Sequence, residues 1–137
     1  VLGADAVQIG SKFVASKESS AHQNFKNQVV GAKEGDTSLV LKSVTPVRLI
    51  KNAFQQRVLE AEERGASVIE LKEILGRARA KKGMFEGDIL EGELEIGQVA
   101  SMINNVKPAG QIIRDLILEY NEAKANMLNN NNHFNWG

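Results

Sequence analysis

Residues 3–11 read Gly3-Ala4-Asp5-Ala6-Val7-Gln8-Ile9-Gly10-Ser11, a short apolar segment with a glycine on each side. Such a segment indicates a buried strand of the parallel type, covered on both faces, over Ala6 to Ile9. A strand that ends in Gly10-Ser11 presents backbone N–H groups and a hydroxyl at its C-terminal edge, where glycine lets phosphate oxygens approach closely. The same pattern is also typical of a simple turn.

Beyond Ser11 the patterning is mostly helical. The predicted helices run from Ser19 or Ser20 to about Lys33, from Thr45-Pro46 to Gly65, from Ser67 to a basic end at Arg77–Lys82, from Gln98 to Val106, and from about Ile112 to Leu128. These limits rest on hydroxyl caps, on a proline in a first turn, and on a capping box at Ser67 and Glu70. Residues 84–96, rich in Gly and Glu, predict turns instead.

One strand and about five helices cannot make a parallel sheet, because a buried strand needs partners on both edges. We therefore expect either a helical domain with an N-terminal arm or a fold whose other strands lie upstream of Val1. The opening Val1-Leu2-Gly3 reads as the middle of an element and lacks the pattern of a signal peptide, so we expect a truncated chain.

Composition excludes several classes of function. The 137 residues are 42% apolar and 25% charged, with a formal net charge of zero, as in an ordinary globular protein. Without a basic face, nucleic acid is not expected as a partner. Without cysteine there is no disulfide, zinc–thiolate site or Cys nucleophile. The apolar runs are too short to span a membrane, and we expect a cytoplasmic protein.

A family resemblance covers most of the chain. Residues 3–13 resemble the last barrel strand of the family that contains nitronate monooxygenase (2-nitropropane dioxygenase) and the flavin-type enoyl-acyl-carrier-protein reductase. Further matching segments follow in the same order: Lys17-Glu18-Ser19, Ala21-His22, Lys26, Asp36-Thr37, Val47-Arg48, Ile50-Lys51-Asn52, Gly87-Asp88, Gly92 and Gly97-Gln98. The order and spacing hold to about Tyr120. Ser11 stands where the family usually has Thr, which keeps the hydroxyl.

The resemblance implies an α/β fold, an FMN-binding TIM barrel, of which this chain is a mostly α-helical C-terminal fragment with one N-terminal barrel strand. Residues 1–35 would be the last strand and its helix, 36–106 a helical substrate-covering region with the Gly/Glu-rich loop, 107–128 a C-terminal helix, and 129–137 a disordered Asn-rich tail. It also implies that Gln8, Ile9, Gly10 and Ser11 bind the FMN phosphate, while the family's catalytic histidine lies upstream of Val1.

Other polar residues receive weaker assignments. Gln98 is a candidate donor to substrate or cofactor, although it can equally begin a helix. We expect His22 to be structural rather than catalytic, and His133 to be inert. The carboxylates between Glu86 and Glu95 could form a cation site, but a solvated loop is the simpler interpretation. The basic run Arg77–Lys82 could meet a nicotinamide phosphate or a carrier protein, or could simply end a helix in water.

Three functions stay open from sequence. The first is an FMN-dependent oxidoreductase that oxidises nitronates with dioxygen, and the second is an enoyl reductase that uses NAD(P)H to reduce an enoyl thioester. Both take a small-molecule substrate, and the exposed edge of an unpaired strand would favour a homo-oligomer. The third is a helical interaction module without catalysis, which would fold as a stable monomer.

Overall fold

The computed structural model describes residues 3–129, so the predicted tail at 129–137 falls almost entirely outside the described residues. The described chain is mostly helical, as expected, with a two-stranded antiparallel sheet. Its elements in chain order are α1 (Ser11–Val14), α2 (Gln23–Gly31), β1 (Thr37–Val40), β2 (Val47–Ile50), α3 (Ala53–Glu63), α4 (Val68–Leu75), a π-helix (Lys81–Phe85), a 3₁₀ helix (Gln98–Met102) and α5 (Ala109–Asn129).

The hairpin of β1 and β2 corrects the prediction of a helix that begins at Thr45-Pro46. The two strands pair with Thr37 opposite Ile50. On its other side β2 is held by residues 94–96, because the Ile50 N–H donates to the Leu94 carbonyl at 3.0 Å and the Ile96 N–H donates to the Arg48 carbonyl at 3.1 Å. Pairing on both sides overrides the helical periodicity of this segment, whose Val and Ile residues also suit a strand.

Helix α3 therefore begins later than the sequence predicts. Asn52 is its N-cap, and the Asn52 side chain accepts a hydrogen bond from the Gln55 N–H at 2.9 Å. The same side chain donates to the carbonyls of Ile89 and Gly92. It therefore connects the helix to the Gly- and Glu-rich segment at residues 84–96, called the glycine-rich loop below. The helix ends at Glu63, close to the predicted stop at Gly65, which has a φ of +78°.

The remaining helices follow the predictions in part. Ser67 caps α4 and accepts from the Glu70 N–H at 3.2 Å, as the capping box predicts. The helix stops at Leu75, so the basic run Arg77–Lys82 lies beyond it and does not form its end. The π-helix Lys81–Phe85 spans the predicted boundary between that helix and the turns from residue 84. Helix α2 starts after His22 rather than after Ser19 or Ser20, and the 3₁₀ helix ends short of Val106.

Two hydrophobic clusters form the core. The first contains Ala15, Phe25, Val29, Ile50, Leu94, Ile96, Ala100 and Ile103. The second contains Val40, Leu41, Leu49, Phe54, Val58, Ala61 and Leu71. Neighbouring residues of β2, Leu49 and Ile50, belong to different clusters, so this strand joins the two. The first cluster also crosses the predicted division between residues 1–35 and 36–106, which itself stays a prediction.

The buried strand predicted over Ala6 to Ile9 is wrong for the chain as described. Residues 3–10 are exposed, with Val7 79% and Ile9 37% accessible. Within the described chain, residues 3–9 make no backbone hydrogen bond to another segment. A strand requires a neighbour for its N–H and C=O groups, and residues 3–129 do not supply one here. No helix in that range is long and apolar enough to cross a membrane.

The glycine-rich loop owes its shape to contact between two backbones. A Cβ added to Gly92 would collide with the Gly83 Cα and with the carbonyl oxygen of Asp88. A Cβ on Gly83 would in turn lie 2.6 Å from the carbonyl oxygen of Glu93. Neither neighbour is a flexible side chain, so an added methyl must displace the backbone.

We therefore predict that Gly92→Ala lowers the free energy of unfolding by at least about 2 kcal/mol, the scale of overpacked core substitutions. Gly31→Ala is the matched control, because a Cβ there meets nothing within 4 Å and φ is not positive. The control should stay within about 1 kcal/mol of the parent. Urea unfolding of both variants checks this, and equal stabilities would contradict the backbone contact.

Candidate functional site

The four residues predicted to bind FMN line one open groove. Its volume is about 560 Å³, and its lining consists of Gln8, Ile9, Gly10, Ser11, Lys12, Val99, Met102, Ile103 and Glu119. One wall is thus the N-terminal segment and the start of α1, and the other comes from the 3₁₀ helix and α5. The groove combines the backbone at Gly10-Ser11 with apolar side chains from distant parts of the chain.

Helix α1 begins directly after Gly10. The carbonyl of Gly10 accepts from the N–H groups of Phe13 and Val14 at 2.9 and 3.2 Å. The first amides of a helix have no partner inside it. Among residues 3–129, the amides of Ser11 and Lys12 donate to no protein acceptor.

The Ser11 hydroxyl is hydrogen-bonded to a residue that is distant in sequence, Gly97. Its oxygen accepts a hydrogen bond from the Gly97 N–H at 3.1 Å. A hydroxyl has one donor hydrogen besides its acceptor sites, so Ser11 can still donate. Ser11 is half-buried, whereas Gln8 to Gly10 are exposed.

These residues fit a phosphate group such as that of FMN. A Cβ at Gly10 would meet no protein atom within 4 Å, so the backbone there is open to a ligand. The amides of Ser11 and Lys12 and the Ser11 hydroxyl supply donors. Lys12 adds a cation. Its Nζ lies 3.4 Å from Glu119 Oε1, and because this ion pair is exposed, breaking it so that Lys12 can contact a phosphate costs little free energy. The sequence reasoning missed Lys12, although a cation beside Gly-Ser is itself a signal.

Gln98 does not line this groove. It lines a second one of about 540 Å³, together with Glu34, Gly35, Thr37, Arg48, Val99, Ser101 and Met102. Arg48 Nη1 donates to the Thr37 carbonyl and hydroxyl oxygens, each at 3.3 Å. Val99 and Met102 line both grooves, which therefore adjoin. A role for Gln98 at the substrate stays a prediction.

His22 has a structural position. It is the N-cap of α2, and its Nδ1 accepts from the Asn24 N–H at 3.1 Å. Its backbone N–H donates to the Met84 carbonyl at 2.7 Å. Gly87 lies so close to the ring that a Cβ there would overlap the imidazole. The ring thus joins the start of α2 to the glycine-rich loop.

The carboxylates between Glu86 and Glu95 make loop contacts. Asp88 Oδ1 accepts from the N–H groups of Leu90 and Glu91, and Asp88 Oδ2 lies 3.1 Å from Lys82 Nζ. Arg57 Nη1 donates to Glu91 Oε1 at 2.8 Å. In the described part of the chain, no group of His, Asp and Glu could hold a metal ion. Asp88 and Glu91 are thus engaged by Lys82, Arg57 and backbone amides of the loop.

The same contacts shift the pKa values of the loop. Backbone hydrogen bonding from Glu91, followed by Lys82, lowers the pKa of Asp88. The hydrogen bond from Arg57 lowers the pKa of Glu91. Glu93 behaves in the opposite way, since burial and then the charge of Glu95 raise the pKa of its carboxyl group. Glu93 is 8% accessible.

Within the basic run Arg77–Lys82, the Arg79 side chain makes its contacts inside the protein. Its guanidinium lies over the Phe54 ring, with Cζ 4.5 Å from the centroid, and it donates to the carbonyls of Leu75 and Glu91 at 2.7 and 2.8 Å. Arg79 is therefore not free to meet an external phosphate. No local sequence pattern predicts this contact, which depends on how the loop folds back over α3.

Comparisons with known proteins agree on one family. Residues 1–119 match the nitronate monooxygenase family. A probable nitronate monooxygenase of Staphylococcus saprophyticus subsp. saprophyticus is 30% identical over 124 residues, which are 89% of this chain and 34% of that protein. The chain thus spans about a third of this curated relative.

Solved structures extend the agreement to the fold. FabK from Thermotoga maritima matches with a TM-score of 0.84 and 33% identity, over 93% of this chain and 40% of that one. Nitroalkane oxidase from Streptomyces ansochromogenes matches with a TM-score of 0.66 and 29% identity, over 91% of this chain and 35% of that one. Both are TIM-barrel enzymes, which confirms the expected fold class.

The cap at His22 gives a test of its structural role. His22→Ala removes the acceptor for the Asn24 N–H and should lower the free energy of unfolding by about 1 kcal/mol, as for other N-cap losses. His22→Asn keeps an acceptor and should lose less. Thermal unfolding measures both, and equal losses for Ala and Asn would show that the cap contributes nothing.

Asp88 predicts a specific pH dependence. The folded protein lowers the pKa of Asp88. The charged carboxylate therefore stabilises the fold at any pH above the unfolded-state pKa of about 4. That stabilisation is lost as the pH falls through the lower pKa of the folded state. Asp88→Asn keeps an acceptor for the two amides but removes the charge that faces Lys82. The variant should therefore be less stable near neutral pH, with a difference from the parent that shrinks below about pH 4.

Denaturant unfolding of parent and variant between about pH 6 and pH 2.5 measures that difference. Subtraction of the two curves removes the opposite contribution of Glu93, which both proteins share. Asp88→Ala, which also loses the acceptor, should be less stable than Asp88→Asn at every pH. A parent–variant difference that stays constant with pH would contradict the assignment.

Proposed function

The chain belongs to the nitronate monooxygenase family, and on that basis we propose that the protein carrying it is an FMN-dependent oxidoreductase that oxidises nitronates with dioxygen. The observation that carries this proposal is the groove at Gln8 to Ser11, whose free amides, open glycine and hydroxyl suit a flavin phosphate. Because the chain spans about a third of its curated relative, the proposal concerns the whole protein.

The residues of the groove have separate tasks in this proposal. Gly10 leaves room for the phosphate oxygens, while the amides of Ser11 and Lys12 and the Ser11 hydroxyl donate to them. Gln8 and Ile9 form the adjoining wall. Bound FMN supplies the redox chemistry, and the protein holds and orients it. No catalytic residue is assigned within this chain, since the family's catalytic histidine is expected upstream.

The alternative is an NAD(P)H-dependent enoyl-acyl-carrier-protein reductase. The likeness to FabK favours it, since that structure matches more closely than nitroalkane oxidase does. The groove at Arg48 and Gln98 adjoins the phosphate groove and could receive a second substrate in either reaction. The two alternatives share the flavin site and differ in the electron donor.

Homo-oligomerisation and a cytoplasmic location complete the proposal. Large apolar side chains are exposed along α5 at Ile117 and Leu118. Exposed apolar patches commonly mark protein interfaces, which favours association of copies. The substrate classes, nitronate or enoyl thioester, are small molecules, and both reactions suit a cytoplasmic enzyme.

The deciding experiment uses the full-length protein. We expect it to bind one FMN per chain, visible by flavin absorbance, and to consume oxygen when an alkyl nitronate is added without NAD(P)H. NADPH oxidation that depends on an enoyl thioester, with no oxygen uptake on nitronate, would establish the reductase instead. A protein that binds no flavin would overturn both and leave the helical interaction module.

A further inference from the structure

We propose that Gly97 is a positioning residue for the cofactor phosphate, because its N–H fixes the Ser11 hydroxyl with the hydrogen free to donate to that phosphate. This inference rests on the proposed function, since it needs a flavin phosphate at Gly10-Ser11. It adds a residue from the covering region to a site that the sequence assigns to the N-terminal segment alone.

The contact between the two residues is direct and long-range. The Gly97 N–H donates to Ser11 Oγ at 3.1 Å across 86 residues of sequence. Gly97 also lines a shallow groove that Gly10 and Ser11 share with Arg48 and Ile96. The amide therefore lies at the same surface as the residues that would bind phosphate.

The backbone of Gly97 does not explain why glycine stands there. Its φ is −69° and its ψ is 158°, a conformation open to any residue. Space does explain it, since a Cβ on Gly97 would lie 2.9 Å from Ser11 Oγ. An L-side chain at this position must displace the hydroxyl, which disturbs the hydrogen bond. The close contact with Ser11, and not the local turn, therefore favours glycine at position 97.

The direction of the bond determines what the hydroxyl can do. A serine hydroxyl can rotate and either donate or accept. When the Gly97 N–H occupies a lone pair of Oγ, the hydroxyl hydrogen is left for another acceptor. A phosphate oxygen is such an acceptor, and a hydrogen bond to a charged group is among the stronger ones. The amide also polarises the hydroxyl in the donating sense.

The test compares FMN with riboflavin, which lacks the phosphate, in the full-length protein. Gly97→Ala should raise the Kd of FMN about tenfold or more, the scale of one lost hydrogen bond to a charged group, and should leave the Kd of riboflavin unchanged. Flavin fluorescence quenching measures both constants without any turnover. Gly31→Ala is the control and should change neither.

A double-substitution cycle separates positioning from general packing. If Gly97 acts through the Ser11 hydroxyl, Ser11→Ala should weaken FMN binding by itself, and adding Gly97→Ala should weaken it no further. If Gly97→Ala alone unfolds the protein, the double variant should refold, because the colliding Oγ is gone. A double variant that stays unfolded would overturn the proposal.

The outcomes also separate this inference from the proposed function. Equal losses of FMN and riboflavin affinity in Gly97→Ala would indicate general distortion and overturn the positioning role. Parent-like FMN affinity in that variant would overturn it while leaving the flavin enzyme intact. A parent protein that binds no FMN would remove the proposed function, and this inference with it.

Discussion

The pairing of residues 92–97 with their neighbours is the constraint on which the rest of the structure depends. Two backbone hydrogen bonds tie residues 94–96 to β2, and the Glu93 N–H donates to the Arg79 carbonyl at 3.1 Å. Leu94 and Ile96 enter the first hydrophobic cluster, while β2 brings Leu49 into the second. The glycine contact at residues 83 and 92 lets the loop come close enough for this. This arrangement of residues 92–97 also places the Gly97 N–H within hydrogen-bond distance of Ser11 Oγ.

The elements predicted correctly are those whose signals are local. The Ser67 side chain accepts from the Glu70 N–H, one of the first amides of α4. The apolar stripe of α5 likewise needs no distant partner to be recognised. The hairpin was missed because both sides of β2 are defined by other segments, and its residues carry a helical periodicity as well. Propensity is a weak guide where pairing of this kind decides the outcome.

The residues of the candidate site also differ in whether local sequence or distant contacts define them. Gly10 and Ser11 could be proposed from sequence, because the family resemblance adds to a short motif whose donors suit phosphate. The partnership of Ser11 with Gly97 could not, since nothing in either local sequence refers to the other. Gln98 lines the groove of Arg48 and not the groove of Gly10 and Ser11, and its role at a substrate stays a prediction.

The two walls of the groove at Gly10 and Ser11 differ in how well other segments support them. Residues 8–10 are exposed and lack backbone pairing to other described segments, whereas Ile103 on the opposite wall is buried in the first cluster. A ligand that binds through a poorly held segment must also order it, and that ordering reduces the affinity. The hydrogen bond from Gly97 to Ser11 connects the N-terminal wall of the groove to the better supported segment that precedes the 3₁₀ helix. At the proposed flavin site its contribution would therefore be partly preorganisation, beyond the orientation of one hydroxyl.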